Sequence, residues 1–228
     1  MLQRRDQDVA FWLEVARQAG GPVLELACGT GRLTHALADA GTAVVGLDND
    51  AVMLSAASAA NAGRHRGWPI FIAGDMRRFA LNCRFGLVFV GYNSLQLLTD
   101  PRDMTACLRL AREHLAPGAR VGVEVTDFQT GGADGPDDRA EQPPERLGDA
   151  EGIRLTGTLV HDLEERTSCY RRHFSGDGWT VDNQIVVRSW DRPELEILLR
   201  EAGRTAVKYW TSGATGATLR ALAVPYQP

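Results

Sequence analysis

The 228-residue sequence predicts an α/β fold: a doubly wound, mostly parallel sheet of seven strands, with a small antiparallel sheet inserted after the fifth. Three observations carry this. Up to Val125, short apolar runs alternate with amphipathic helical stretches, the pattern of a parallel sheet covered on both faces. The first four runs end in Gly, Asp or Asn, the punctuation of a chain leaving a strand. After Val125 the rhythm yields to a Gly-, Pro- and acid-rich stretch. Three segments then alternate polar with apolar residues, as an antiparallel sheet with one wet face does.

Residues 8–19 place Val9, Trp12, Leu13 and Ala16 on one side at helical spacing, with Asp8 as the expected cap and Gly20-Gly21-Pro22 as the stop. Strand 23–27 follows, then a turn through Gly29 and Gly31, and a helix from about 31 to 40 that carries Leu33, Leu37 and Ala40 inward. Strand 42–47 runs into Asp48-Asn49-Asp50, and an alanine-rich helix covers 51–62. Strands are expected at 70–73, ending at Gly74-Asp75, and at 85–90, ending at Gly91-Tyr92-Asn93. Asp100-Pro101 opens a helix with the stripe Met104, Leu108, Ala111 and Leu115; Pro117-Gly118 ends it before a fifth strand, 121–125. The alternating segments are 153–159, 168–174 and 184–190. A helix over 193–202 and a hairpin of strands 205–210 and 218–224 complete the chain. Residues 1–125 and 191–228 then form the core, and 126–190 an acidic loop plus the small sheet.

With 44% hydrophobic residues the chain can bury a large core, and its net charge of −4 gives no electrostatic footprint for nucleic acid. Cys28, Cys83, Cys107 and Cys169 lie far apart without a C-x-x-C pair, and the five histidines show no ligand spacing, so neither a disulfide framework nor a metal site is expected. No run approaches the ~18 apolar residues of a membrane span, and the expected location is the cytoplasm. From Asp127 to Glu151 eight acids face only Arg139 and Arg146. This acidic stretch either draws a cationic or amine-bearing substrate toward the site or is a solvated linker.

The candidate site is the first strand's exit, V-L-E-L-A-C-G-T-G-R from Val23 to Arg32. Glycines there let a ligand approach the backbone, and the helix that follows offers free N–H groups to an anion. Asp48, 17 residues after Gly31, is placed to accept from both hydroxyls of a ribose, while Asp50 is the better helix cap. Either a dinucleotide or S-adenosylmethionine fits such a crevice. The dinucleotide fingerprint wants a third small residue, and Thr34 stands in its place. Asp75, on the third strand's rim, can accept from an adenine amino group, or it is a solvated turn residue.

Together with G-L-D-N-D-A-V-M-L, G-D-M-R-R-F and F-G-L-V-F-V-G-Y-N-S-L-Q-L-L, the first motif resembles the class I S-adenosylmethionine-dependent methyltransferases, within them the small-molecule group whose first motif reads E-x-x-C-G-T-G-R. The resemblance covers residues 8–125 closely and implies a Rossmann-like methyltransferase fold that binds S-adenosylmethionine. Glu25, Ala27, Cys28, Gly29, Thr30, Gly31 and Arg32 would line the methionine end, Ala27 standing where a glycine is commoner. Asp48 would hold the ribose, with Asn49 and Met53 beside the adenine; Gly74, Asp75 and Met76 would read its edge. Asn93, followed by Ser94, would lie near the sulfonium and offer its carbonyl to the methionine amino group. Relatives of this kind carry an N-terminal lid segment, and this chain begins about where such a segment ends.

The implied reaction is in-line displacement of the activated methyl by a small-molecule amine or hydroxyl. It needs alignment at about 3 Å and exclusion of water more than a strong base. Tyr92 and Asp127 are the candidate catalytic groups, with His161 and Tyr170 behind them. A nicotinamide-dependent oxidoreductase and a non-catalytic cofactor-binding regulatory module are the rival readings. A methyltransferase acting on nucleic acid is disfavoured by the acidic balance and by G-Y-N-S, which lacks an N-P-P-Y signature. The acceptor and the oligomeric state stay open, a homodimer among the options.

Overall fold

The computed structural model describes residues 5–63, 67–126, 145–150, 152–201, 206–212 and 218–224. Asp127, most of the acidic stretch and the turn of the last hairpin lie outside the described residues.

The first half runs α1 (Arg5–Ala19), β1 (Val23–Leu26), α2 (Arg32–Asp39), β2 (Val44–Asp48), α3 (Ala51–Ala60), β3 (Ile70–Ala73), β4 (Phe85–Val90), α4 (Pro101–Glu113) and β5 (Leu115–Thr126). Then come β6 (Glu145–Ala150), β7 (Ile153–Asp162), β8 (Thr167–Gly176), β9 (Trp179–Arg188), α5 (Arg192–Glu201), β10 (Ala206–Ser212) and β11 (Thr218–Val224). Seven strands form one sheet in the order β10-β11-β5-β4-β1-β2-β3; β6 to β9 form a second, antiparallel sheet in sequence order. The large sheet is parallel except for β11, which runs antiparallel to β5 and to β10. From β1 the chain winds outward through β2 to β3, then returns to lay β4 on the other side of β1. That reversal is the switch point at which open α/β sheets bind ligands.

Strand residues alternate between two cores. On one face Leu24, Leu26, Val45, Leu47, Val88 and Val90 pack under Met104, Leu108 of α4 and Leu195, Leu199 of α5. On the other, Val23, Val44, Leu87 and Phe89 meet Trp12 and Val15 of α1 and Leu33 and Leu37 of α2. Trp12 is fully buried and stacks on Phe89 with ring centroids 4.4 Å apart. It sits over Gly122, where an added Cβ would lie 2.6 Å from its ring. The close approach of α1 to β5 therefore requires glycine there.

Several expectations are corrected. Asp8 does not cap α1: it lies a turn inside the helix, and its buried carboxylate takes a two-pronged bond from Arg32. Ala38, not Ala40, joins Leu33 and Leu37 in the core. Helix α4 stops at Glu113 rather than at Pro117-Gly118, because Phe85 donates its N–H to the His114 carbonyl at 2.9 Å and Leu115 already pairs with Phe85. The stretch 126–152, expected to be irregular, contains β6, paired with β7 through an irregular register. Strand β9 begins at Trp179, five residues before the expected start, because a full ladder from Gly176↔Trp179 to Thr167↔Arg188 holds it to β8 whatever the polarity of its side chains.

Candidate functional site

The tips of β1, β2, β3 and β4 open on one cleft. Two compartments share Ala27, Gly29, Met53 and Ser94. The smaller, about 380 Å³, is lined by Glu25, Ala27 to Thr30, Arg32, Leu33, Met53, Gly91, Tyr92 and Ser94. The larger, about 670 Å³, runs past Asp48, Asn49 and Asp50 to Gly74, Asp75, Met76 and Arg77, with Leu97, Leu98, Asp103 and Ile185 opposite. Both volumes are in the range of small-molecule sites.

The turn after β1 follows from its residues. Ala27, Gly29 and Gly31 all have positive φ, at 56°, 56° and 79°. A Cβ on Gly29 would meet nothing within 4 Å, so the bare backbone faces the open cleft. Gly31 is different: its Cβ would stand 2.8 Å from the Phe71 ring, and the residue lines neither compartment. Gly29 thus faces the open cleft, whereas at Gly31 packing against Phe71 of β3 requires glycine. As N-cap of α2, Gly31 supplies no side-chain bond to the helix's first N–H groups.

Asp48 is buried, its Oδ2 accepting from the Gly29 N–H at 2.7 Å and its Oδ1 from the Asp50 N–H at 2.9 Å. Each oxygen of an ionised carboxylate has two acceptor sites, so one on each is left for a diol. Asp50 caps α3, accepting from Val52 and Met53 N–H at 2.8 and 3.1 Å.

Beneath the small compartment Glu25 is buried, and burial pushes its carboxyl up to about 8. The fully buried Thr34 hydroxyl donates to Glu25 Oε2. Thr34 thus fills the place of the missing third glycine, spending its hydroxyl on this acid. Burial also raises the Cys28 thiol, which stays protonated and unreactive at neutral pH. The Arg32 guanidinium, held by Asp8, lies 5.2 Å from the Tyr92 ring centroid. Tyr92 is half exposed and, like Asn93, has positive φ, 51° and 62°. Two consecutive non-glycine residues in this region mark a strained strand exit.

Asn93 turns away from the cleft: its side-chain oxygen accepts from the Thr126 hydroxyl at 3.0 Å, and its carbonyl from the Gln96 N–H at 2.9 Å. Ser94 and Gly91 face the small compartment instead. His161 and Tyr170 sit on the second sheet and line neither compartment. His161 Nδ1 lies 2.9 Å from the Ser168 hydroxyl, and burial lowers its pKa.

Sequence reasoning missed Gln96. It is fully buried, donates from Nε2 to the carbonyls of Thr126 and Arg188 at 2.8 and 2.9 Å, and accepts from the Thr126 N–H at 2.8 Å. One amide thereby pins the ends of β5 and β9 to the 3-10 turn Ser94–Leu97 after β4. A polar residue among leucines in S-L-Q-L-L was the available signal.

The switch-point cleft and the antiparallel final strand make this a Rossmann-like fold. Residues 23–118 match the family model described as a methyltransferase domain. It is 32% identical over 127 residues to the cypemycin N-terminal methyltransferase of a Streptomyces species, covering 54% of this chain and 51% of that protein. It is 31% identical over 121 residues to the dTDP-3-amino-3,6-dideoxy-alpha-D-glucopyranose N,N-dimethyltransferase of Streptomyces fradiae, covering 53% and 46%. The chain thus spans about half the length of these curated relatives. Its fold is similar to that of the CcbJ methyltransferase from Streptomyces caelestis, with a TM-score of 0.82 at 21% identity over 97% of this chain and 90% of that one.

Proposed function

We propose that the protein is an S-adenosylmethionine-dependent methyltransferase whose acceptor is a small-molecule amine. The observation that carries the reading is the pair of acids at the tips of β2 and β3. Asp48 has one acceptor site free on each oxygen, Asp75 lies farther along the same compartment, and the bare Gly29 backbone lies between the compartments. Asp48 would hold the ribose, Asp75 and Met76 the adenine edge, and Glu25, Gly29 and Thr30 the methionine end. The bound cofactor supplies an activated methyl group. The chain's own residues bind, orient and exclude water, and no strong base is required of them. Tyr92 and Arg32, which line the small compartment with the guanidinium 5.2 Å from the ring centroid, would contact the acceptor. The amine is favoured because one relative bears the name of an N,N-dimethyltransferase and another that of an N-terminal methyltransferase, and because the stretch 127–151 is strongly acidic. We further read the protein as a cytoplasmic enzyme that acts without nucleic acid, and its net charge of −4 supports the latter.

Against a nicotinamide enzyme stands Thr34, whose hydroxyl is committed to Glu25 where that fingerprint needs a glycine. Calorimetry with S-adenosylhomocysteine and with NAD separates the two, and the first alone is expected to bind. Asp48→Ala is expected to weaken S-adenosylhomocysteine by about 1–3 kcal/mol, through loss of a charged acceptor; unchanged binding removes Asp48 from the site. Methyl transfer to an amine, found by mass spectrometry across a panel of amino sugars and peptides, excludes a purely regulatory role.

A further inference from the structure

Arg77 stands two residues after Asp75 and has a carboxylate on each side. Its Nε and Nη2 donate to Asp75 Oδ1 and Oδ2 at 3.0 and 2.7 Å, and its backbone N–H donates to Oδ1 at 2.9 Å. Its Nη1 donates to Asp103, in the first turn of α4, at 2.8 Å. The guanidinium therefore ties the exit of β3 to α4 along one wall of the larger compartment, where Asp75, Arg77 and Asp103 all line the surface.

Stability alone does not account for the arrangement, because a simple ion pair open to solvent contributes only about 0–1 kcal/mol. Geometry does. A planar fork fixes the plane of the carboxylate that it grips, which a lysine cannot do. The fork also leaves a vacancy. Asp75 Oδ1 has both acceptor sites filled by Arg77, whereas Oδ2 takes Nη2, a longer 3.2 Å share of Nε and the remote Arg78 Nε at 3.7 Å. The same grip holds the Asp75 carboxyl below the usual carboxylate range, so it is ionised and only accepts.

We propose that Arg77 is a positioning residue for purine recognition: it holds the Asp75 carboxylate with one acceptor site on Oδ2 open to an exocyclic amino group, and so sets the preference for a 6-amino purine. This rests on the reading above that the adenine end of the cofactor lies at Asp75.

The test is calorimetric binding of S-adenosylhomocysteine and of its analogue with an unsubstituted purine. Both are measured against the wild-type chain and against Arg77→Ala, Arg77→Lys and Asp103→Asn, each checked for folding by thermal melting. The wild type is expected to prefer the amino form about 10-fold. In Arg77→Ala that preference falls to about 3-fold or less, because the amino form weakens while the analogue changes less than about 2-fold. Arg77→Lys, which keeps the charge and loses the fork, falls between, and Asp103→Asn shifts the same way. If Arg77→Ala does not fold, these two variants decide. Equal weakening of both ligands, or a full wild-type preference in the variants, overturns the role of Arg77. No preference in the wild type overturns it also. A wild type that binds neither ligand overturns the cofactor reading itself.

Discussion

Ala27 holds a backbone conformation, φ 56°, that costs an L-residue roughly 1–2 kcal/mol and glycine almost nothing. Its substitution by glycine relieves that strain and gives back part of it as unfolded-chain entropy. Ala27→Gly is expected to stabilise the protein by about 0.5–1 kcal/mol, read from urea denaturation; destabilisation would show that the methyl makes contacts worth more than the strain. Glu25 gives a pH signature. Its carboxyl titrates near 8 when folded, raised by burial from an ordinary value of 4.5. Between these values the folded state holds a proton that the unfolded state releases, so stability falls as pH rises from about 4.5 to 8 and levels off above. Glu25→Gln removes that slope. The wild type is expected to lose roughly 2–5 kcal/mol more than the variant between pH 5 and pH 8.5, and parallel pH profiles would show that Glu25 is ionised throughout. A cofactor ammonium placed beside Glu25 would release the same proton on binding, which calorimetry in buffers of different ionisation heat detects.

At the scale of elements, the core was legible wherever a strand is buried on both faces. Strand β4, buried along its whole length, falls on the expected residues because a continuous apolar run between turn residues has few other solutions; β3 and β11 fall on theirs as well, although β3 is a partly exposed edge strand and β11 carries Arg220. Legibility failed where hydrogen bonding, not burial, decides. Strand β6 is E-R-L-G-D-A, without alternation, and only its pairing with β7 makes it a strand. The site divides in the same way. Asp48, Asp75 and Gly29 follow from position at strand tips, whereas the roles of Gln96, Arg77 and Asp103 depend on contacts 26 to 92 residues away in sequence. Gln96 makes the strongest prediction here. Leucine in its place keeps the volume and removes three buried hydrogen bonds joining β5, β9 and the turn after β4. Gln96→Leu is expected to cost about 2–4 kcal/mol. Hydrogen exchange should quicken in β7 to β9 while β1 and β4 keep their protection; uniform loss across both sheets would mean that the amide supports the core rather than the joint between the sheets.

Over the whole molecule, one ion pair ties the chain's two ends to the sheet. Glu124 of β5 and Arg220 of β11 are both buried, with Nε and Oε2 2.8 Å apart. The guanidinium also lies 5.1 Å from the Phe11 ring centroid, and the Trp12 indole N–H points at Glu124 from 3.4 Å. Helix α1, which carries the Asp8 that grips Arg32, thus rests on the strand that closes the sheet. Burying two charges is costly, and their attraction repays it only while both are present. Replacing either residue alone by an apolar one, Glu124→Leu or Arg220→Met, takes away the buried partner at 2.8 Å and is expected to cost about 3–5 kcal/mol. The double substitution removes both members of the pair and should recover a measurable part of that loss. Denaturation of the three variants gives the coupling directly, and additive losses would mean that the pair is solvated and α1 is held by Trp12 and its apolar neighbours alone. If the coupling is large, S-adenosylhomocysteine affinity should fall in the singles and return in the double, because a loosened α1 releases Arg32 at the mouth of the cleft.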